Sequence, residues 1–106
     1  MQYYSIIMIV AEFSMVPMGS GTSAGDYIKA IHHILGEAEV NFIPGPMSTA
    51  VEGKSLQELF DLMEKANDEL VEMGVKSIIA TIGIDMRLDK EISMQSKLSR
   101  VRSDSN

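Results

Sequence analysis

Residues 5–17, SIIMIVAEFSMVP, decide the fold. The run is apolar and rich in β-branched types, and it sorts by parity: Ile7, Ile9, Ala11, Phe13 and Met15 fall on one side, Glu12 and Ser14 on the other. A period of two over this length marks a strand with one face fully buried and the other less so. The wider stretch Tyr3–Met18 has no basic start, carries Glu12 and breaks at Pro17. It therefore fits neither a signal peptide nor a membrane span, and a cytoplasmic protein is expected. Met8 offers a second start, which would leave residues 1–7 as an N-terminal extension.

Outward from this strand, the loop Met18–Gly25 holds Gly19, Gly21 and Gly25 and ends it. Ser23 with Asp26 opens a helix to about Glu37, with Ala24, Ile28, Ile31 and Leu35 on its apolar stripe and Tyr27 and Ile34 at the edge. Residues 39–44 and 47–53 form two short strands around the Gly45-Pro46 turn. Ser55 and Glu58 make a capping box for a second helix. Its predicted stripe is Leu56, Leu59, Phe60, Met63, Ala66, Leu70 and Met73, and Gly74 stops it. Residues 76–87 read as a last long strand and 89–103 as a basic C-terminal helix.

The order β-α-β-β-α-β predicts an α+β, ferredoxin-like domain: a four-stranded antiparallel sheet with two helices on one face, plus a C-terminal helix. Right-handed crossovers place the first and third strands in the centre and the fourth at an edge. The other sheet face is left bare within one chain. It carries Met8, Val10, Val16 and Ile79, too apolar for water, so a second subunit is expected against it.

The 106 residues suffice for one domain, 1–106, which buries roughly 60–70% of its chain surface on folding. An apolar fraction of 45% with 23% charged residues is globular composition. The chain has no cysteine, which excludes disulfides, thiolate catalysis and cysteine-ligated metals. Fifteen acids against nine bases give a net charge of −6, which disfavours nucleic acid as a partner.

The bare face collects Glu12, Ser14, Thr81, Asp85 and Arg87 on the two long strands, where neighbouring side chains stand about 5 Å apart. Carboxylates beside hydroxyls suit a cationic or amine-bearing small molecule; an ion-pair network between subunits uses the same groups. The loop Gly19-Ser20-Gly21 can offer amides to an anion, although it matches no phosphate-loop or dinucleotide spacing. His32 and His33 point about 100° apart and make no metal site. His32 borders the apolar stripe, and His33 faces solvent. Asn67 falls inside the second helix's stripe, where a buried amide needs a partner in the sheet or in a cleft. The acids of the second helix form a solvated face, and Arg87, Lys90, Lys97, Arg100 and Arg102 make the C-terminal segment basic. No nucleophile, base and orienting group come together, so no enzyme is expected.

Three motifs resemble the YkoF-like thiamine-binding protein family. They are AEFSMVPMG (Ala11–Gly19) followed by Ser23 and Tyr27, GPMSTAVEG (Gly45–Gly53) with Thr49, Val51, Glu52 and Gly53 matching, and RLDK (Arg87–Lys90). The resemblance runs from about residue 8 to residue 102. It implies a ferredoxin-like subunit, sheet-to-sheet homodimers that commonly pair into a homotetramer, and for some members binding of thiamine or its hydroxymethylpyrimidine moiety without a reaction. It implies no cofactor beyond such a ligand. Many relatives resemble one another in a histidine where this chain has Asn67.

Together these readings assign ligand contacts to Glu12, Ser14, Thr49, Glu52, Thr81 and Asp85, with Arg87, Gly19, Ser20 and Gly21 as interface or anion contacts. Thr49 and Glu52 differ in parity, so without a bulge they face opposite sides of the sheet. The alternative is a structural or regulatory assembly module without a small-molecule ligand.

Overall fold

Alternation in the first strand sets the architecture. In the computed structural model, which describes residues 8–19, 24–45, 47–89 and 91–104, this strand is β1 (Ile9–Met18). It is followed by α1 (Ala24–Glu37), β2 (Phe42–Pro44), β3 (Thr49–Gly53), α2 (Leu56–Glu72), β4 (Ser77–Met86) and α3 (Met94–Asp104). The start of the expected strand, residues 5–7, lies outside the described residues, as do Ser20, Gly21 and the Ser23 cap.

The sheet order is β2-β3-β1-β4, the ferredoxin-like arrangement with β1 and β3 central and β4 at an edge. All pairs are antiparallel. β1 meets β3 from Ile9↔Gly53 to Phe13↔Thr49, and meets β4 from Ile9↔Met86 to Met18↔Ser77.

Ile9, Ala11 and Phe13 of β1 and Val51 of β3 face the helices and are buried with Tyr27, Ile31 and Leu35 of α1 and Leu59, Leu62, Ala66 and Leu70 of α2. A side chain as enclosed as Leu35 or Leu59 contributes roughly 1.5–3 kcal/mol by leaving water. Both helix stripes are rotated from the expected ones. Tyr27 occupies the centre of the buried arc of α1, while Ile28 is 52% exposed. α1 packs on α2 as well as on the sheet, so its buried arc is centred between those two neighbours. On α2, Leu62 is buried and Leu56 and Phe60 are open, because the helix packs over β1 and β3 and leaves its β4 flank uncovered.

The ends of α2 follow local chemistry. Ser55 Oγ accepts the Glu58 N–H at 3.0 Å, and the Glu58 carboxylate accepts the Lys54 N–H at 2.7 Å. Past the C-terminus Gly74 takes φ +90°, which removes any Cβ penalty.

The second sheet face is not wholly bare, contrary to the sequence expectation. α3 lies over its Val10 end: the Met94 N–H donates to Glu52 at 3.3 Å, Lys97 pairs with Asp85, and Val10 and Met94 are buried. A carboxylate at a helix N-terminus and an ion pair one turn on hold the helix there. Beyond α3 the face stays open, with Val16 at 50% and Ile79 at 60% exposure.

Candidate functional site

β3 begins at Thr49, opposite Phe13, so the second half of β1 has no strand on that side. The space left beside Ser14–Val16 is roofed by α1 and closed by the β2–β3 turn. The result is a cleft of about 160 Å³. The Gly45 N–H donates to the Ser48 carbonyl at 2.9 Å and fixes that turn.

Ile28, Val16 and Met47 supply apolar walls, and Ser14, Ser48, Thr49 and His32 supply polar groups. Ser14 belongs by parity to the far face and reaches the cleft because no strand flanks it there. His32 Nε2 and Thr49 Oγ1 are hydrogen-bonded at 3.2 Å, and the imidazole packs against the Phe42 ring with centroids 5.5 Å apart. The Ser48 hydroxyl donates to the Glu12 carboxylate at 3.0 Å, which brings a negative charge to the cleft rim. Apolar walls with a few convergent hydroxyls and an imidazole are the general make-up of a small-molecule pocket.

The structure divides the six expected ligand contacts. Ser14 and Thr49 line the cleft, and Glu12 borders it through Ser48. Thr81 is exposed on β4 opposite Ser14. Glu52 and Asp85 hold α3. Thr49 and Glu52 do face opposite sides, Thr49 toward α1 and Glu52 toward α3. Glu12, Asp85 and Lys97 also border a shallow recess of about 350 Å³ on the far face, beside Gly83. A Cβ on Gly83 would stand 3.5 Å from Glu12, in ordinary contact.

Of the interface or anion contacts, Arg87 is engaged by Asp89 through two bonds of 2.9 and 2.8 Å. That hydrogen bonding, and then the Asp89 charge, raise its pKa further. Gly19 takes φ +82°, and a Cβ there would fall 2.8 Å from the Lys76 side chain, so its glycine answers to the strand end.

His33 faces solvent beside Glu37 at 3.4 Å. Asn67 is half-buried along an open groove with Met15, Phe60, Met63 and Ala80, and is not enclosed in the core. Among the described residues no group of three or more His, Asp or Glu side chains is placed to hold a metal, and no helix is long and apolar enough to cross a membrane.

Sequence reasoning missed His32 and Ser48 as site residues. The one signal was that His32 lies four residues after Ile28 and so shares its helix face; its partner Thr49 is 17 residues away and arrives through the hairpin.

The model of the family described as thiamine-binding protein matches residues 11–102. A UPF0045 protein of Methanothermobacter thermautotrophicus is 28% identical over 96 residues, 90% of this chain and 97% of that protein. Among solved structures, a hypothetical protein of Methanocaldococcus jannaschii is similar with a TM-score of 0.81 and 27% identity, over 92% of this chain and 98% of that one. A Thermotoga maritima protein named for thiamine biosynthesis or salvage shares the fold with a TM-score of 0.77 and 20% identity, over 90% of this chain and 99% of that one.

Proposed function

The chain belongs to the thiamine-binding protein family, and we propose that it binds thiamine, or the hydroxymethylpyrimidine part of it, as a homo-oligomer that performs no reaction on it. The observation that carries this reading is a convergence. The β1 motif Ala11–Gly19 and the hairpin motif Gly45–Gly53 are far apart in sequence, and they meet at one cleft. In this reading Ser14 and Thr49 hydrogen-bond the aminopyrimidine, with His32 held in place by Thr49. Glu12, through Ser48, offers negative charge to the thiazolium. Thr81 extends the polar surface beside Ser14, while Glu52 and Asp85 act at one remove by holding α3.

The open apolar pair Val16 and Ile79 supports a subunit contact across the sheet face, two such dimers making a tetramer. Arg87 and the Gly19–Gly21 loop are assigned to subunit contacts rather than to the ligand. Calorimetric titration with thiamine and with hydroxymethylpyrimidine tests the reading: saturable heat with at least one of them is expected, and silence with both up to millimolar overturns it. The same open pair favours a second reading, an assembly module without a ligand. Glu12→Gln shifting the oligomer in light scattering, with calorimetry silent, would support that one.

A further inference from the structure

The hairpin side of the cleft spends its donors on the protein itself. In the β2–β3 turn the Gly45 N–H donates to the Ser48 carbonyl at 2.9 Å, and the Ser48 hydroxyl donates to the Glu12 carboxylate at 3.0 Å. A carboxylate can only accept, so the direction of the second bond is fixed and Ser48 Oγ keeps lone pairs alone for anything else. Among the described residues that line the cleft none is lysine or arginine. This rim therefore presents acceptors: Ser48 Oγ and, behind it, Glu12.

The neighbouring hydroxyl, Thr49 Oγ1, lies 3.2 Å from His32 Nε2. One proton sits between the two atoms, and whichever holds it decides what Thr49 offers the cleft. If Nε2 carries it, the Thr49 O–H is left to donate elsewhere. If Thr49 donates it, only lone pairs remain and Thr49 joins Ser48 as an acceptor.

We propose that Thr49 donates to His32, so that His32 and Glu12 set both hairpin hydroxyls as acceptors and the cleft selects amino-substituted heteroaromatic rings over their oxo counterparts. An exocyclic amine has two N–H donors, enough for Thr49 and Ser48 at once. An oxo group sets lone pairs against lone pairs between apolar walls and leaves both sides unpaired. His32 is a positioning residue here, acting on the ligand through Thr49. The inference rests on the ligand reading above and deepens it by naming the ring substituent that is read and the residues that read it.

The test is calorimetry with hydroxymethylpyrimidine and with its oxo analogue, in which a carbonyl replaces the exocyclic amine, repeated with cytosine and uracil. The amino member of each pair should bind about tenfold or more tighter. His32→Phe keeps a ring against Phe42 and strips Thr49 of its acceptor; Glu12→Gln can donate to Ser48 and free its hydroxyl. Each should cut the preference severalfold, mainly by improving the oxo ligand, and the second variant decides if the first fails to fold. Nitrogen-15 shifts of the His32 ring in the ligand-free protein at about pH 8, where a histidine is ordinarily neutral, should report the proton on Nδ1. A proton on Nε2, or a preference unchanged in both variants, overturns the inference. Equal affinity within each pair also overturns it and leaves thiamine binding standing. Heat with cytosine and not uracil, with thiamine and hydroxymethylpyrimidine silent, would refute thiamine binding and leave the selection; silence with every ligand sinks both.

Discussion

The two halves of β1 differ more than any two elements of the molecule. Ile9–Phe13 has a strand on each side and is buried at every position but Glu12. Ser14–Met18 has β4 alone, and Val16 and Met18 stand open to water. One covalent strand thus carries a buried half and an open half, and the switch between them is the point where β3 begins. Burial on both flanks fixes the first half by hydrophobic stabilisation and a full hydrogen-bond ladder. The missing neighbour leaves the second half free to line a cleft and to meet other molecules.

The contrast is broken most easily at its strongest point. Phe13→Ala empties a site walled by both helices and should cost about 3–5 kcal/mol in denaturant unfolding, whereas Val16→Ala should stay within about 0.5 kcal/mol. Equal losses would erase the distinction between the halves. Gly53, at the protected end of the β1–β3 pairing, leaves no room: a Cβ there would lie 2.7 Å from the buried Leu59 side chain. Gly53→Ala should therefore cost about 1–3 kcal/mol through overpacking. Ser55→Ala, removing the cap of the helix that covers the protected half, should cost about 1 kcal/mol.

A small effect on global stability is also expected at α3. Lys97→Ala breaks an ion pair whose side chains are both partly open to water, so unfolding should shift by less than about 1 kcal/mol. Amide exchange should nevertheless speed up in α3 alone. Faster exchange throughout β1 would mean that α3 belongs to the core.

Local chemistry made much of the fold legible. The parity of Ile9, Ala11 and Phe13, the Ser55–Glu58 box and the Gly45-Pro46 turn each act within a few residues, and each is visible in the sequence. The orientation of the helices is not local. Leu62 displaces Phe60 from the buried arc because α2 sits over β1 and β3, and nothing in the helix states where the sheet lies.

The site shows the same division. Ser14 and Thr49 carry motif signals, but His32 becomes a site residue only when the hairpin delivers Thr49 to it. α3 was legible as a helix and illegible as a cover, since Glu52 and Met94 are 42 residues apart.

Amide chemical-shift mapping during a thiamine titration tests the proposed recognition at the open half most directly. Recognition at the cleft requires shifts concentrated at Ser14–Val16, His32 and Ser48–Thr49, with Ile9–Ala11 unmoved. Shifts confined to Val10, Glu52, Asp85 and α3, with the cleft silent, would contradict it.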